Sequence, residues 1–380
     1  MRKKIYIHSF ASISSLGSSE EEVWNAYLNP QAFFQKRKFL GKEEWVSQLQ
    51  KKESELIENL REKNKKYKEL DPSVLYAIFA SRQLLKDKTP ENLAVNIGSS
   101  RGATTLFEAY HKEFLASTVA STLSSPTTTL GNLSSWVAQD LGSDGLSMSH
   151  SITCSTALHS ILNAVAWLTS GMLTDFLAGG TEAPLTPFTV AQMKSLKLYS
   201  SSKSNLPCRS LDFSKKSNTL ILGEAAAVFL LSTKKEKASF CLTGIGFATE
   251  IITHNTSISS EAICFQKSMQ MALDRASLTS VDAIVMHAAG TQKGDEAELK
   301  AIQHCFEEVP LLTTNKWKIG HSFGASGAMS LEMALLMLKH NQFISNPFFQ
   351  QENTNKDLQH IMVNAVGFGG NAVSIIVKKL

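Results

Sequence analysis

Short apolar runs rich in β-branched residues alternate along the chain with longer stretches whose apolar positions recur every three to four residues, the pattern of an α/β protein. The runs predict strands at 4–11, 93–100, 175–180, 226–232, 240–248, 283–289 and 360–369, with "NAVSIIVKK" as a further strand at the carboxyl end. The periodic stretches predict helices at 21–28, 73–86, 156–169, 262–276, 295–307 and 328–340. In the third of these, Leu158, Ile161, Leu162, Val165 and Leu168 form one apolar stripe.

The order of these elements echoes itself. The first part reads "VNIGSSRGATTLFEAY", then "TCSTALHSILNAVAWL", then "LAGGTEA" and the strand "AAAVFLL". The second reads "VMHAAGTQKGDEAEL", then "GHSFGASGAMSLEMALLML", then "VGFGG" and "NAVSIIVKK". No low-complexity linker separates them, so the pattern favours two similar α/β units packed together over two unrelated domains.

Composition narrows the class. Of 380 residues, 43% are hydrophobic and 19% charged, which is ordinary globular usage. The net charge of +4 comes without a basic stripe interleaved with aromatics, which argues against nucleic-acid binding. The densest charge run, 51–70, mixes both signs and reads as a solvated helix face. Five cysteines, at 154, 208, 241, 264 and 305, have no framework spacing and fit reduced thiols of a cytoplasmic protein. The basic start "MRKKIYIHSFASISSLG" is broken by His8 and several serines, unlike a signal peptide. No stretch approaches the ~18 apolar residues of a membrane span.

Candidate chemistry gathers at three places. In "SITCSTALHSI", Cys154 sits among small residues just before a helix. It is either a small buried core residue or a nucleophile whose pKa the helix N-terminus lowers. His287, in "VMHAAGTQKGDEAE", and His321, in "NKWKIGHSFGASGAMS", each follow a strand or tight turn. Ligand sites of open α/β units collect at such strand ends. The Cys and His residues lack the paired spacing of a zinc site, and the signatures of a papain-type hydrolase are missing.

Four segments, "ITCSTALHS", "HAAGTQKGDEAE", "KWKIGHSFGASGA" and "VGFGGN", resemble in order the active-site motifs of the β-ketoacyl-acyl-carrier-protein synthases, nearest to the KAS I/II-like condensing enzymes of the thiolase superfamily. The resemblance extends through "IYIHSFASISSLG", "AGGTEAPLTP" and "PCRSLDFSKKSNTLILGEAAAVFLL", and so over nearly the whole chain. It implies a thiolase-like, five-layer αβαβα fold of two similar halves, 1–235 with the nucleophilic cysteine and 236–380 with both histidines. By position, Cys154 matches the acyl-accepting nucleophile, His287 and His321 the two catalytic histidines, and Lys316 the active-site lysine. Thr291 matches the last threonine of the first histidine motif. Phe368 matches the aromatic gate whose backbone N–H joins that of Cys154 in an oxyanion hole.

The implied reaction is a decarboxylative Claisen condensation of an acyl thioester with a malonyl thioester, through an acyl-cysteine. Both substrates ride on the phosphopantetheine of acyl carrier protein, and no metal or other cofactor is bound by the chain itself. The implied partners are acyl carrier protein and a second synthase-like chain, in a homodimer or in a heterodimer with a related synthase or chain-length factor. Segment 124–142 resembles the family's dimer-interface region. The alternative is a non-catalytic chain-length-factor-like subunit, but such subunits typically lose the cysteine. A thiolase would need a second cysteine where Phe368 stands, and the KAS III group an asparagine where His321 stands.

Three positions depart from the family pattern. Ala289 replaces a threonine, and Ser330 stands where a glutamate usually faces the lysine, with Glu332 two residues on. Arg101 falls where relatives carry an apolar residue lining the acyl tunnel. An unpaired arginine is costly beside an alkyl chain. Either the acyl group is shorter or more polar (aryl or unsaturated chains included) or the loop is shifted and Arg101 faces elsewhere. These changes suit a specialised fatty-acid, polyketide or polyene pathway, such as aryl polyene or dialkylresorcinol pigment synthesis.

Overall fold

The computed structural model describes residues 3–85, 89–130, 132–251, 258–352, 354 and 357–380. Residue 86, at the end of a predicted helix, and residue 131, inside the 124–142 segment, lie outside them.

Ten strands form one continuous sheet that is two copies of a single five-stranded pattern. In chain order the first five are Ile5–Ile13, Ala94–Gly98, Ser147–Met148, Asp175–Glu182 and Ala225–Ser232. The second five are Phe240–Thr249, Ala283–Val285, Leu311–Thr313, His360–Gly367 and Asn371–Lys379. Within each set the spatial order is first, fifth, fourth, second, third. In both, the fifth strand runs antiparallel to the first and fourth, whereas the second runs parallel to the third and fourth. The sets join where Ile5, Tyr6 and Ile7 pair antiparallel with Leu242, Cys241 and Phe240. The repeated order of elements in the sequence thus corresponds to a repeated topology.

Helices make the remaining layers. Thr156–Ser170 and Ser326–His340 pack against strands of both sets and against each other, forming a central layer. Every residue of the latter from Ser326 to Leu338 is buried, as expected of a helix covered on all sides. Outside the first set lie Pro72–Leu84 and Asn132–Leu141, and outside the second Ile263–Ala276, with Gln292–Cys305 packed on it. The result is the five-layer αβαβα sandwich.

Several elements differ from the sequence reading. The strand predicted at 283–289 stops at Val285, because the His287 and Ala288 N–H groups bond the Glu298 carboxylate (2.9 Å each) rather than a neighbouring strand. The hairpin Gln35–Phe39/Lys42–Ser47 was not predicted. Its strands are mostly polar, with Arg37 facing Glu44 and Lys38 facing Glu43, so no apolar alternation marks it. Helix Thr104–Ser117 was also missed. It buries no residue and leaves Phe107, Phe114 and Leu115 exposed.

Candidate active site

The small polar residues around Cys154 knit a tight turn. Thr156 Oγ1 accepts from the Ile152 N–H (2.8 Å) and donates to the Thr153 carbonyl (2.6 Å), while Ser155 Oγ donates to the Ile152 carbonyl (3.0 Å). Thr153 is held at φ 47°, a region β-branched residues rarely occupy. Such strain, held by these bonds, lifts the buried Cys154 to the start of the central helix Thr156–Ser170.

The glycine-rich turn after strand His360–Gly367 closes on the same place. A Cβ on Gly367 would overlap Thr153 Oγ1 and lie 3.1 Å from the Cys154 amide nitrogen, so only glycine permits this approach. Thr153 Oγ1 donates to the Phe368 carbonyl (3.3 Å), tying Phe368 to the cysteine turn. The Phe368 ring is partly exposed. The lowering that a helix start would bring to Cys154 is outweighed. Burial pushes the thiol up to about 12, and the Glu182 charge adds to this, while Arg101 and Lys316 pull the other way. At rest Cys154 is a neutral thiol.

Both histidines face one another at this site, with ring centroids 5.2 Å apart and planes at 87°. His321 is anchored through its backbone, its N–H donating to the Ile221 carbonyl (2.7 Å) and its carbonyl accepting from Gly223 (3.1 Å). Its ring also meets Phe323 edge-on at 5.6 Å. In each histidine Nδ1 is buried without a hydrogen-bond partner. Burial, helped by the nearby Lys316 ammonium, lowers His321 to about 3. Burial, then His321 and Lys316, holds His287 well below the usual range. Both imidazoles are neutral throughout the physiological range.

Lys316 is fully buried and donates to Ser330 Oγ (3.1 Å) and Asn315 Oδ1 (3.2 Å). The residue at the usual glutamate position therefore does meet the lysine, through a neutral hydroxyl. Glu332, about half a helical turn away, faces elsewhere. It bonds Ser12, and burial raises it to about 7. Burial also lowers Lys316 to about 8, with Glu298 the leading group that opposes this.

Thr291 caps helix Gln292–Cys305 through its backbone, and its N–H bonds Asp295 (3.2 Å), itself in a buried ion pair with Lys215 (2.9 Å). Ala289 packs into an apolar cluster that includes Cys154, Leu185, Met193 and Phe323, where a threonine hydroxyl would have been unpartnered by that cluster. Arg101 faces the site: its guanidinium lies 5.2 Å over the Phe323 ring.

Sequence reasoning assigned no role to Glu182 or Glu298. The Glu182 carboxylate accepts from Ser99 Oγ and the Arg101 N–H at Oε1, and from the Ser100 and Gly324 N–H groups at Oε2 (2.8–3.1 Å). It clamps the Arg101 loop onto the turn after His321, as Glu298 clamps His287. Both acids stand in quoted segments, "GGTEA" and "GDEAEL". An acid within a run of small residues next to a candidate site was the signal available.

A cysteine at a helix start, two neutral histidines and a buried ammonium form the kind of site that transfers acyl groups and steadies an enolate. Comparison with known proteins gives the family. The family description "Beta-ketoacyl synthase, N-terminal domain" matches residues 7–237, and "Beta-ketoacyl synthase, C-terminal domain" matches 240–349. This chain belongs to the beta-ketoacyl synthase family, and with it to the acyltransferase-class condensing enzymes. It is 25% identical over 410 aligned positions to 3-oxoacyl-[acyl-carrier-protein] synthase 2 of Staphylococcus aureus, covering 99% of this chain and 98% of that one. To a putative polyketide beta-ketoacyl synthase 1 of Streptomyces halstedii it is 26% identical, over 70% of this chain and 65% of the relative. Among solved structures, a beta-ketoacyl synthase from Burkholderia phymatum superposes with TM-score 0.84 at 21% identity, covering both chains fully. The ishigamide ketosynthase/chain length factor superposes with TM-score 0.86 at 18% identity, over 100% and 99%. Among the described residues no helix is long and apolar enough to cross a membrane, and all five cysteines are free thiols.

Proposed function

We propose that this chain is a catalytic ketosynthase that extends a carrier-bound acyl chain by decarboxylative condensation in a specialised fatty-acid, polyketide or polyene pathway. The observation that carries this is the pair of buried, neutral histidines facing each other beside the Cys154 turn. Cys154 sulfur attacks the acyl thioester carbonyl, and the carrier thiol leaves with the cysteine's proton. The N–H groups of Cys154 and Phe368 receive the oxyanion, consistent with the close approach that Gly367 allows.

Malonyl-carrier then enters and its carbon–carbon bond breaks, releasing CO2. The electron pair forms an enolate on the thioester oxygen. Placing each imidazole proton on Nε2 leaves only a lone pair at the buried Nδ1, which costs less than burying an unpaired N–H. Two Nε2–H donors then hold the enolate, whose carbon attacks acyl-Cys154 and expels the cysteine as a thiolate, which takes a proton from water to restore the thiol for another turn. Burial, helped by Lys316, keeps both rings neutral, and Thr291 starts the helix that carries Glu298, the acid bonded to the His287 N–H. No metal or bound cofactor is required by these steps. The partners are acyl carrier protein and a second synthase-like chain, which would cover the apolar side chains of helix Thr104–Ser117. The setting is cytoplasmic, in keeping with the free thiols.

The chain-length-factor reading predicts no covalent acyl intermediate. Incubation with acyl-carrier thioesters should add one acyl mass to the wild-type chain and none to Cys154→Ala. Equal absence of label from both, across donors, would support the subunit reading instead.

A further inference from the structure

Arg61, Arg82 and Arg209 each pair with a carboxylate, at Glu58, Asp140 and Asp212. Arg101 does not. Its N–H is bound by Glu182, but among the described residues its guanidinium makes no hydrogen bond and no ion pair. It lies half-buried across the face of Phe323, whose own backbone is held at φ 39°. The one carboxylate fixed to this loop, Glu182, already accepts four donors and has little capacity left. Phe323 and Cys154 belong to the same apolar cluster, and the arginine's charge is felt at the Cys154 thiol.

A planar fork of donors thus lies over a member of the Cys154 cluster, and no described residue satisfies it. The contact with Phe323 does not replace the hydrogen bonds a guanidinium gives up on partial burial. Beside an alkyl chain those donors would stay unmet. A carbonyl or carboxylate oxygen on the acyl chain would meet them, and a guanidinium matches such oxygens in geometry and charge.

We infer that Arg101 is a specificity residue that selects acyl groups carrying an oxygen acceptor along the chain, over saturated alkyl groups of equal length. This inference rests on the acyl-Cys154 reading. A charge-assisted hydrogen bond is worth roughly 1.5–3 kcal/mol, which converts to about 10–150-fold in rate of acylation.

The test uses matched phosphopantetheine thioesters, pentanoyl against glutaryl and hexanoyl against 3-oxohexanoyl. The rate of Cys154 acylation is followed by intact mass in wild type, Arg101→Gln and Arg101→Ile. Thermal melting of each variant checks that it remains folded. Wild type should favour the oxygen-bearing member of each pair by about 10–150-fold, and Arg101→Ile should abolish or reverse that preference. Equal rates within the pairs for wild type would overturn the inference. So would an Arg101→Ile variant slowed equally with every donor, because the guanidinium would then serve the thiol rather than the chain. Wild type unlabelled by all four donors would remove the acyl-enzyme itself, and the inference with it.

Discussion

At the scale of single residues, the site separates two tasks that a lone cysteine would combine. In the proposed reaction Cys154 takes the acyl group, while His287 and His321, kept neutral by burial and Lys316, act only after it is loaded. His287→Ala and His321→Ala should therefore retain acylation by thioester donors. Each should lower condensation with malonyl-carrier by about 10²–10³-fold, the usual cost of one donor to a developing oxyanion. Single-turnover labelling against steady-state product formation separates the steps, and loss of both together would contradict the division. That Cys154, His287, His321, Lys316 and Phe368 gather in one place was readable from the sequence through motif order. Glu182 was not, because its work consists of bonds to backbone groups 81, 82 and 142 residues away, which leave no local pattern. The direction of the Cys154 shift was misjudged for a related reason: burial is a property of all five layers, whereas the helix start is visible locally.

At the scale of elements, helix Ser326–His340 carries an unusual load, a buried carboxyl in an otherwise largely apolar central layer. Burial raises Glu332 from 4.5 to about 7. Between those values the folded chain keeps a proton that the unfolded chain has released. This group's contribution to stability is therefore present below pH 4.5 and lost as pH rises through 7. Glu332→Gln removes that dependence. The stability of the variant relative to wild type should climb by up to about 3 kcal/mol between pH 4 and pH 8. Melting curves across that range check it, and a difference that stays flat would contradict the assignment. Long apolar strands such as Ala225–Ser232 were legible, because burial on both faces writes itself as a continuous run. Hairpin Gln35–Phe39/Lys42–Ser47 and helix Thr104–Ser117 were not, since neither presents an apolar face to the core.

At the scale of the whole molecule, that same helix leaves the apolar side chains Phe107, Phe114 and Leu115 in water, and Val119 and Leu123 follow it. A second chain covering this face is the reading consistent with the proposed partnership. Phe114→Glu combined with Leu115→Glu should convert a dimer to a monomer in light scattering. An unchanged mass would place the contact elsewhere. The repeated order of strands, turns and helices anticipated two similar packed units, and the family resemblance the five-layer sandwich, although what proved similar between the two parts is their topology far more than their residues.

The way the first strand is placed has a consequence for how the protein is made. Ile5–Ile13 leaves the ribosome long before its neighbours, Ala225–Ser232 and Phe240–Leu242. At roughly 5–20 residues per second, some 10–45 s pass before those partners exist. For that time a strand with buried-core character has both edges open, exposed to other nascent chains and to chaperones. Lys3 and Lys4, just upstream of the apolar run, put charge where flanking charges oppose aggregation of such a strand during that interval.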